Sequence, residues 1–357
     1  MNLEELGWNP SFEADFGEYR QRGLSPGRIA CQQKDLYQVY GVDGTMSTEV
    51  SGNFRHNARS KADFPAVGDW VAIRPCPEES KATIQAVLPR RSVFSRKSAG
   101  ARTEEQVLAA NIDTVFLVSG LDNEFRPRRI ERYLTVAWDS GAAPVIVLNK
   151  ADLCTDIGAR LEEVESVAFG VPVCAVSATE KQGLDALESH LGVGKTVAFL
   201  GSSGVGKSTI INALLGAQRQ EVRAVREDDS RGRHTTSYRE LIPLPGKGLL
   251  IDTPGMREIQ LWTDEDGVRK SFEDIEALVG SCRFRNCAHQ KEPGCAVRAA
   301  IENGALDAKR YRSYLKLQRE VRFLAAKQDQ KAHLEEKARR KEFGRMVKKM
   351  KKDYKKG

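Results

Sequence analysis

One stretch limits the possible folds more than any other: Gly201-Ser202-Ser203-Gly204-Val205-Gly206-Lys207-Ser208, followed by Thr209. The apolar run Thr196-Val197-Ala198-Phe199-Leu200 before it reads as a buried strand, and Ile210-Ile211-Asn212-Ala213-Leu214-Leu215 after it reads as a helix start. Strand, glycine loop and helix form the context of a phosphate-binding P-loop. Glycines let successive backbone N–H groups turn toward phosphate oxygens, and the helix N-terminus adds positive potential. Lys207 is expected to reach the β- and γ-phosphates, and the Ser208 hydroxyl to coordinate Mg²⁺.

The P-loop strand comes late in an alternating α/β segment. Ile112–Val118 and Pro144–Leu148 read as strands, with a helix from Arg129 to about Ser140 between them. The second strand runs into Asn149-Lys150-Ala151-Asp152, an N-K-x-D pattern. A carboxylate at Asp152 can accept two hydrogen bonds from guanine, which adenine cannot offer. Lys150 is expected to pack along the base and Asn149 to brace the loop. Placement at the C-terminal end of a strand, where open α/β sheets bind ligands, gives the short motif its weight. A helix over Leu161–Ala168, the strand Val171–Val176 and then Ser177-Ala178 follow; the dipeptide is expected to offer a backbone N–H to guanine. A helix around Leu184–Leu191 leads back to the P-loop strand.

Beyond the P-loop, Arg231-Gly232-Arg233-His234-Thr235-Thr236 reads as a switch loop whose threonine, Thr236 or Thr235, completes the Mg²⁺ shell. The strand Tyr238–Ile242 follows, then Leu249-Leu250-Ile251 running into Asp252-Thr253-Pro254-Gly255, a D-x-x-G pattern. Asp252 is expected to hold Mg²⁺ through water, and the Gly255 N–H to sense the γ-phosphate. The next residue is Met256, which cannot orient an attacking water; His234 is the candidate for that work. Guanine motif, Ser-Ala, P-loop, switch threonine, D-x-x-G is a circular permutation of the usual order. It preserves the neighbours in the sheet while moving the point where the chain leaves.

Flanking segments differ in kind. Residues 1 to about 25 show no clear period and read as an arm. From there to about Arg96 short β-type runs alternate with turns: Arg28–Cys31, Leu36–Tyr40, Thr48–Gly52, Trp70–Ile73 and Ala82–Val87. Five short strands of this spacing suggest an OB-fold barrel, with Arg55, Arg59, Lys61, Arg90 and Arg91 as candidate RNA backbone contacts. Residues 95–105 read as a basic linker. After the D-x-x-G comes a helix through Ser271–Ile275, then Cys282, Cys287, His289 and Cys295 in a C-x4-C-x-H-x5-C spacing. Three thiolates and one imidazole make a full tetrahedral Zn²⁺ set with no open position, so a structural zinc, one per chain, is expected. Tyr314, Leu317, Val321 and Leu324 then keep a helical spacing.

Charge separates the end of the chain from the rest. Residues 309–357 hold 19 lysines and arginines against 6 acidic residues, a net +13, so the preceding 308 residues carry −6 within the overall +7. A cationic tail on an acidic body points to nucleic acid or another anionic surface. Four of the seven cysteines stand as singletons, which reads as free thiols and not a disulfide framework. No apolar stretch approaches a membrane span and the first residues are polar, so a cytoplasmic chain is expected. The expected division is an arm and barrel over 1–100, a permuted GTPase domain over 101–263, an α-helical zinc-binding domain over 264–327 and a basic tail over 328–357.

Together the Asn149–Asp152 motif, the Gly201–Ser208 loop, Gly232-Arg233-His234-Thr235-Thr236, Asp252-Thr253-Pro254-Gly255-Met256, the barrel and the Cys3His spacing resemble the ribosome small-subunit-dependent GTPases, the RsgA or YjeQ family. The resemblance covers about residues 28–325. It implies an OB domain, a permuted GTPase domain and a zinc domain, with rRNA binding and late maturation of the small ribosomal subunit. It also implies GTP hydrolysis stimulated by that subunit, and a hydrophobic residue where Met256 stands. A monomer that does not bind membranes is expected. Two other classes compete: a nucleic-acid-binding scaffold with a non-catalytic nucleotide, and a trafficking GTPase whose tail meets anionic lipid. An ATPase would require Asp152 to be irrelevant.

Overall fold

The computed structural model describes residues 2–33, 35–76, 81–97, 105–123, 125–216, 239–252, 265–323 and 325–326. The first helix, α1 (Pro10–Gln21), lies in the stretch whose sequence suggests only an arm. Asn9 caps it, accepting from the Ser11 and Phe12 N–H groups at 3.0 and 3.2 Å, and Pro10 supplies a preset φ in the first turn. Phe12, Phe16 and Tyr19, at spacings of four and three, form one face; Trp8 sets its ring edge-on to Trp70 at 4.7 Å. That short face, interrupted by Glu13, Asp15 and Glu18, hides the helix from a search for longer periodicity.

Strands β1 (Ser25–Gln33), β2 (Leu36–Gly41), β3 (Gly44–Val50), β4 (Trp70–Cys76) and β5 (Lys81–Val87) close into a barrel in the order β1-β2-β3-β5-β4-β1. β3 and β5 run parallel, and α2 (Gly52–Asn57), capped by Ser51, crosses between β3 and β4. This is the OB arrangement. Alternating burial along β2 and β3 sends Tyr37, Val39, Met46 and Val50 inward to meet Ile29, Val71, Ile73 and Ile84.

Residues 98–104 of the expected basic linker lie outside the described residues; its two ends belong to the antiparallel strands β6 (Val93–Lys97) and β7 (Glu105–Ala110). Phe94, Val107 and Leu108 are buried, so this stretch is held by apolar packing despite its charge. The second sheet region contains β8 (Thr114–Gly120), β9 (Ala143–Asn149), β10 (Val173–Ala175), β11 (Thr196–Leu200), β12 (Arg239–Leu244) and β13 (Gly248–Asp252), ordered β10-β9-β8-β11-β13-β12. All but β12 run parallel, and helices cover their faces: α3 (Pro127–Ser140), α4 (Ile157–Glu165), α5 (Leu184–Glu188) and α6 (Lys207–Leu215). Burial on both sides explains the continuous apolar runs of β8, β9 and β11.

Two features of this topology position a ligand site. The chain builds β8, β9 and β10 in one direction, then returns to add β11 on the other side of β8. Loops leaving β8 and β11 therefore diverge, and the gap between them is a crevice at the carboxyl ends of the strands. At the far edge, β12 pairs with β1 of the barrel through Cys31↔Glu240 and Gln32↔Arg239. The barrel and the parallel region thus share one continuous sheet.

The C-terminal module consists of α7 (Glu265–Ser271), α8 (Glu273–Gly280), α9 (Ala296–Glu302) and α10 (308–323). Its core joins Phe272, Ile275, Val297, Leu306, Tyr314, Leu317 and Val321, so the helical stripe expected from Tyr314 onward is buried as far as Val321. Leu324 and the tail from Lys327 lie outside the described residues.

Phe16 tests whether α1 belongs to the fold, because its side chain is fully buried. Phe16→Ala is expected to lower stability by about 3–5 kcal/mol. Chemical denaturation of the two chains checks this; a loss below about 1 kcal/mol would show that α1 is a dispensable arm.

Candidate nucleotide site and metal centre

β11 ends in Gly201, and α6 begins at Lys207 after a turn that only a small, left-handed residue can complete. Gly206 has φ +93°, and a Cβ there would lie 2.1 Å from Asn149 Nδ2. Gly201 is equally confined, since its Cβ would lie 2.4 Å from the Val118 carbonyl oxygen on the neighbouring strand. Lys207 is buried and curls back so that its Nζ donates to the carbonyls of Gly201, at 2.6 Å, and Ser202. The ammonium is thereby held under the loop that surrounds it, at the positive end of α6. Ser203 and Gly204 are exposed at the rim, while Ser208 and Thr209 are half-buried in the first helical turn.

Asn149, at the end of β9, is buried and bridges two loops. Its Nδ2 donates to the Val205 carbonyl at 2.8 Å and its Oδ1 accepts from the Ala178 N–H at 3.1 Å. Those partners fix the amide's orientation, because a carbonyl can only accept and an N–H can only donate. The next residue, Lys150, adopts a left-handed conformation with φ +65°. Its Nζ pairs with Asp122 at 2.6 Å, so an acid in the loop after β8 anchors the lysine expected to lie along a base. Asp152 is exposed and accepts from the buried Ser177 hydroxyl at 2.5 Å through one of its oxygens. The Ala151 N–H donates to Val176, closing the loop against β10.

The structure brings together Asn149, Lys150, Ala151, Asp152, Ser177, Ala178 and the whole Gly201–Thr209 segment. Asp252 ends β13, the strand next to β11. His234, Thr235, Thr236, Gly255 and Met256 lie outside the described residues. Three site neighbours carry no motif of their own: Asp122, and Arg129 and Tyr133 of α3, both 3.1 Å from the Ser202 Oγ. Burial raises the Tyr133 phenol's pKa, so it remains a hydroxyl. Only the Arg-rich start of the predicted helix hinted at that contact.

Cys282, Cys287, His289 and Cys295 converge, with their ligand atoms all within 4.8 Å of one another. His289 Nδ1 lies 3.5 Å from Cys282 Sγ and 3.4 Å from Cys295 Sγ. Tetrahedral zinc with ordinary bond lengths gives a sulfur-to-nitrogen edge of about 3.5 Å, so the donor set fits that ion. Cys295 also caps α9, its Sγ accepting from the Arg298 N–H. Glu292 frames the intervening loop by accepting from the N–H groups of Ala288, Gln290 and Lys291. Its own N–H, with those of Gln290 and Ala288, holds the carboxyl pKa down to about 2.

Of the barrel cations, Arg55, Arg59 and Lys61 are exposed. Arg90 is not available in the expected way: it pairs with the fully buried Asp69 and donates to the Ala62 and Phe64 carbonyls. Its desolvated charge is committed to the barrel's own loop. Arg91 reaches back to Asp15 and lies over the Phe12 ring at 5.2 Å.

A P-loop, an N-K-x-D loop and a strand-end aspartate around one switch-point crevice, in this chain order, define a circularly permuted P-loop GTPase. The RsgA GTPase family model matches residues 87–262. The small ribosomal subunit biogenesis GTPase RsgA of Opitutus terrae is 47% identical over 92% of this chain and 92% of its own. YjeQ from Thermotoga maritima superposes with a TM-score of 0.63 at 26% identity, over 84% of this chain and 98% of that one. YloQ, described as a circularly permuted GTPase, gives 0.60 at 25% identity, over 84% and 95%. The chain belongs to the RsgA GTPase family.

Gly206→Ala forces a methyl group against Asn149 and strains a left-handed residue, so both Asn149 bonds must shift. Each is worth roughly 1–1.5 kcal/mol, and the expected outcome is a loss of about two orders of magnitude in GDP affinity. Equilibrium binding of a fluorescent GDP, with circular dichroism as a folding control, measures it.

Proposed function

We propose that this chain is a cytoplasmic, Mg²⁺-dependent GTPase that binds the small ribosomal subunit late in its maturation. It converts GTP to GDP and phosphate faster on the subunit, and hydrolysis times its release. The observation that carries this reading is the buried Asn149 amide, which ties the phosphate loop to the loop of the guanine motif. One ligand with a guanine base and a phosphate chain satisfies both loops.

In this mechanism Lys207 binds the β- and γ-phosphates from beneath, and backbone N–H groups of Gly204–Thr209 take the remaining oxygens. Asp152 accepts from the guanine and Lys150 flanks the base from its anchor on Asp122; the Ala178 N–H is already donated to Asn149, so Ala178 acts through that bond. Mg²⁺ bound with the nucleotide, held by Ser208 and Thr236 and through water by Asp252, would supply charge neutralisation. A water attacks the γ-phosphorus in line; His234 positions it once the subunit orders the switch loop, in place of the side chain that Met256 lacks. Loss of the γ-phosphate releases Thr235, Thr236 and Gly255, and the short connection to α7 passes that change toward the zinc module.

Binding to the subunit is assigned to rRNA. Cys282, Cys287, His289 and Cys295 hold one structural Zn²⁺, and the loop between the first two ligands presents Arg283, Phe284 and Arg285. Phe284 is exposed, with the Arg283 guanidinium 5.5 Å from its ring centroid, a combination suited to stacking on an unpaired base. Arg55, Arg59 and Lys61 on the barrel and the cationic tail contribute phosphate contacts. Among the described residues no helix is long and apolar enough to cross a membrane, and the protein is taken to act as a monomer.

The test is steady-state GTP hydrolysis alone and with small subunits, large subunits or anionic vesicles. A rise of about 10³-fold or more with small subunits only is expected, the scale an ordered catalytic group supplies. No rise with any partner would favour the scaffold, and a vesicle-specific rise the trafficking GTPase. In the same assay Asp152→Ala should raise the KM for GTP by about 30- to 100-fold through loss of charge-assisted hydrogen bonds; unchanged preference over ATP would sink the guanine assignment. Metal analysis should give one zinc per chain, lost in Cys282→Ser together with protection of the C-terminal module from protease; a metal-free, protease-resistant parent protein would remove the zinc assignment.

A further inference from the structure

Helix α3 touches both the P-loop and the C-terminal module, through different faces. Arg129 and Tyr133, one turn apart, converge on the Ser202 hydroxyl. Arg128, Glu131 and Arg132 face the module. Arg128 donates to Glu131 at 2.6 Å and pairs with Asp307; Arg132 pairs with Glu320 of α10 at 2.6 Å. Glu131 and Arg310 of α10 meet at 2.7 Å, both buried. Arg310 also holds Asp274 with two nitrogens, at 2.9 and 2.7 Å, and donates to the Ser271 carbonyl, its guanidinium 4.8 Å from the Phe272 ring centroid.

This joint tolerates little movement. Glu131 is fully buried, and its Oε2 has no hydrogen-bond partner among the described residues, so the carboxyl group depends on Oε1 and its two arginines. Rotating α3 or sliding α10 would separate desolvated opposite charges, which is far costlier than breaking an exposed pair. α3 is therefore tied to the module by buried charge while Ile130, Leu134 and Ala137 pack it on the nucleotide-binding sheet. Its opposite face grips the second residue of the loop that must adjust when phosphates enter.

We propose that α3 is a lever between nucleotide site and C-terminal module, with Arg129 and Tyr133 as positioning residues for the P-loop and Glu131–Arg310 as the fixed joint. The lever reports P-loop occupancy, and so responds to GDP as well as GTP. It is a second route beside the connection after Gly255, which responds to the γ-phosphate. It rests on nucleotide binding at Gly201–Ser208.

Hydrogen–deuterium exchange of the full chain, with and without saturating GDP and Mg²⁺, tests it. In the parent protein GDP should change exchange rates in α7, α8 and α10. In Tyr133→Phe and in Ser202→Ala, each read with GDP bound, that response should fall by about half or more, whereas exchange in the Asn149–Asp152 loop should still respond. By reciprocity, Glu131→Gln, which keeps the side chain's shape and touches no nucleotide, should change GDP affinity by about fivefold or more. If that variant unfolds, Tyr133→Phe and Ser202→Ala carry the test, since each removes a single oxygen and leaves the packing in place. A module silent to GDP in a parent protein that binds GDP would overturn the lever while leaving the nucleotide reading intact. An undiminished response in both P-loop-side variants would overturn it too. Failure of the parent to bind GDP would remove the nucleotide reading and the lever with it.

Discussion

The nucleotide site depends on one buried amide. Asn149 uses a donor and an acceptor on two loops, and no other neutral side chain of similar length offers both functions at that reach. Because Asn149 ends a central parallel strand, its backbone cannot shift without disturbing the pairing of β9 with β8. Rigidity in the sheet is converted into a fixed spacing between the phosphate loop and the base loop. Gly206 is the complement of this arrangement: the amide occupies the volume that any larger residue would need.

A comparable device ties the barrel to the sheet. Arg28 in β1 is buried and donates to the carbonyls of Leu6, Gly68 and Asn111 and to the Thr196 hydroxyl at 2.8 Å. Burial, opposed by Asp113 and Asp69, lowers its pKa only to about 10, so it stays charged. One cation thus gathers the N-terminal segment, the turn before β4 and the start of the P-loop strand. The two residue pairs of the β1–β12 ladder would be a weak hinge alone; Arg28, by reaching Thr196 of the P-loop strand, makes it a firm joint. The ladder also covers β12, which would otherwise leave an open sheet edge.

Much of this was legible in the sequence, for reasons that differ by element. The barrel strands announce themselves by alternation and by Asp43-Gly44 and Gly68-Asp69 turns, and the parallel strands by apolar runs bounded by motif residues. The Cys3His cluster is legible because all four ligands are local, within 14 residues. What escaped depends on distant partners. Arg90 reads as a surface cation until Asp69, 21 residues earlier, folds beneath it. Asp122 belongs to no motif, and only the sheet order places it beside Lys150. The β6–β7 pair carries Arg96 and Lys97 at one end, and that charge masks the apolar residues that bury it. α1 is hidden by its brevity: a few aromatic residues suffice because Phe12 packs on Trp70 and Phe16 on Trp8.

The permuted order has a mechanical consequence. In this chain β8 and α3 come directly after the barrel and the β6–β7 pair, while β13 is the last strand before the C-terminal module. Both flanking units are therefore fastened to the nucleotide-binding half: the barrel to β12, two strands from the P-loop strand, and the module to α3, which contacts the P-loop at Ser202. An unpermuted order of the same sheet would put the chain ends elsewhere and leave the module's only covalent tie remote from Asp252. Nucleotide-binding geometry survives either order, because it depends on which strands are neighbours. What the permutation adds is proximity: the barrel is joined to the nucleotide-binding sheet at β12 and the C-terminal module is held by α3, whose other face contacts Ser202 of the P-loop.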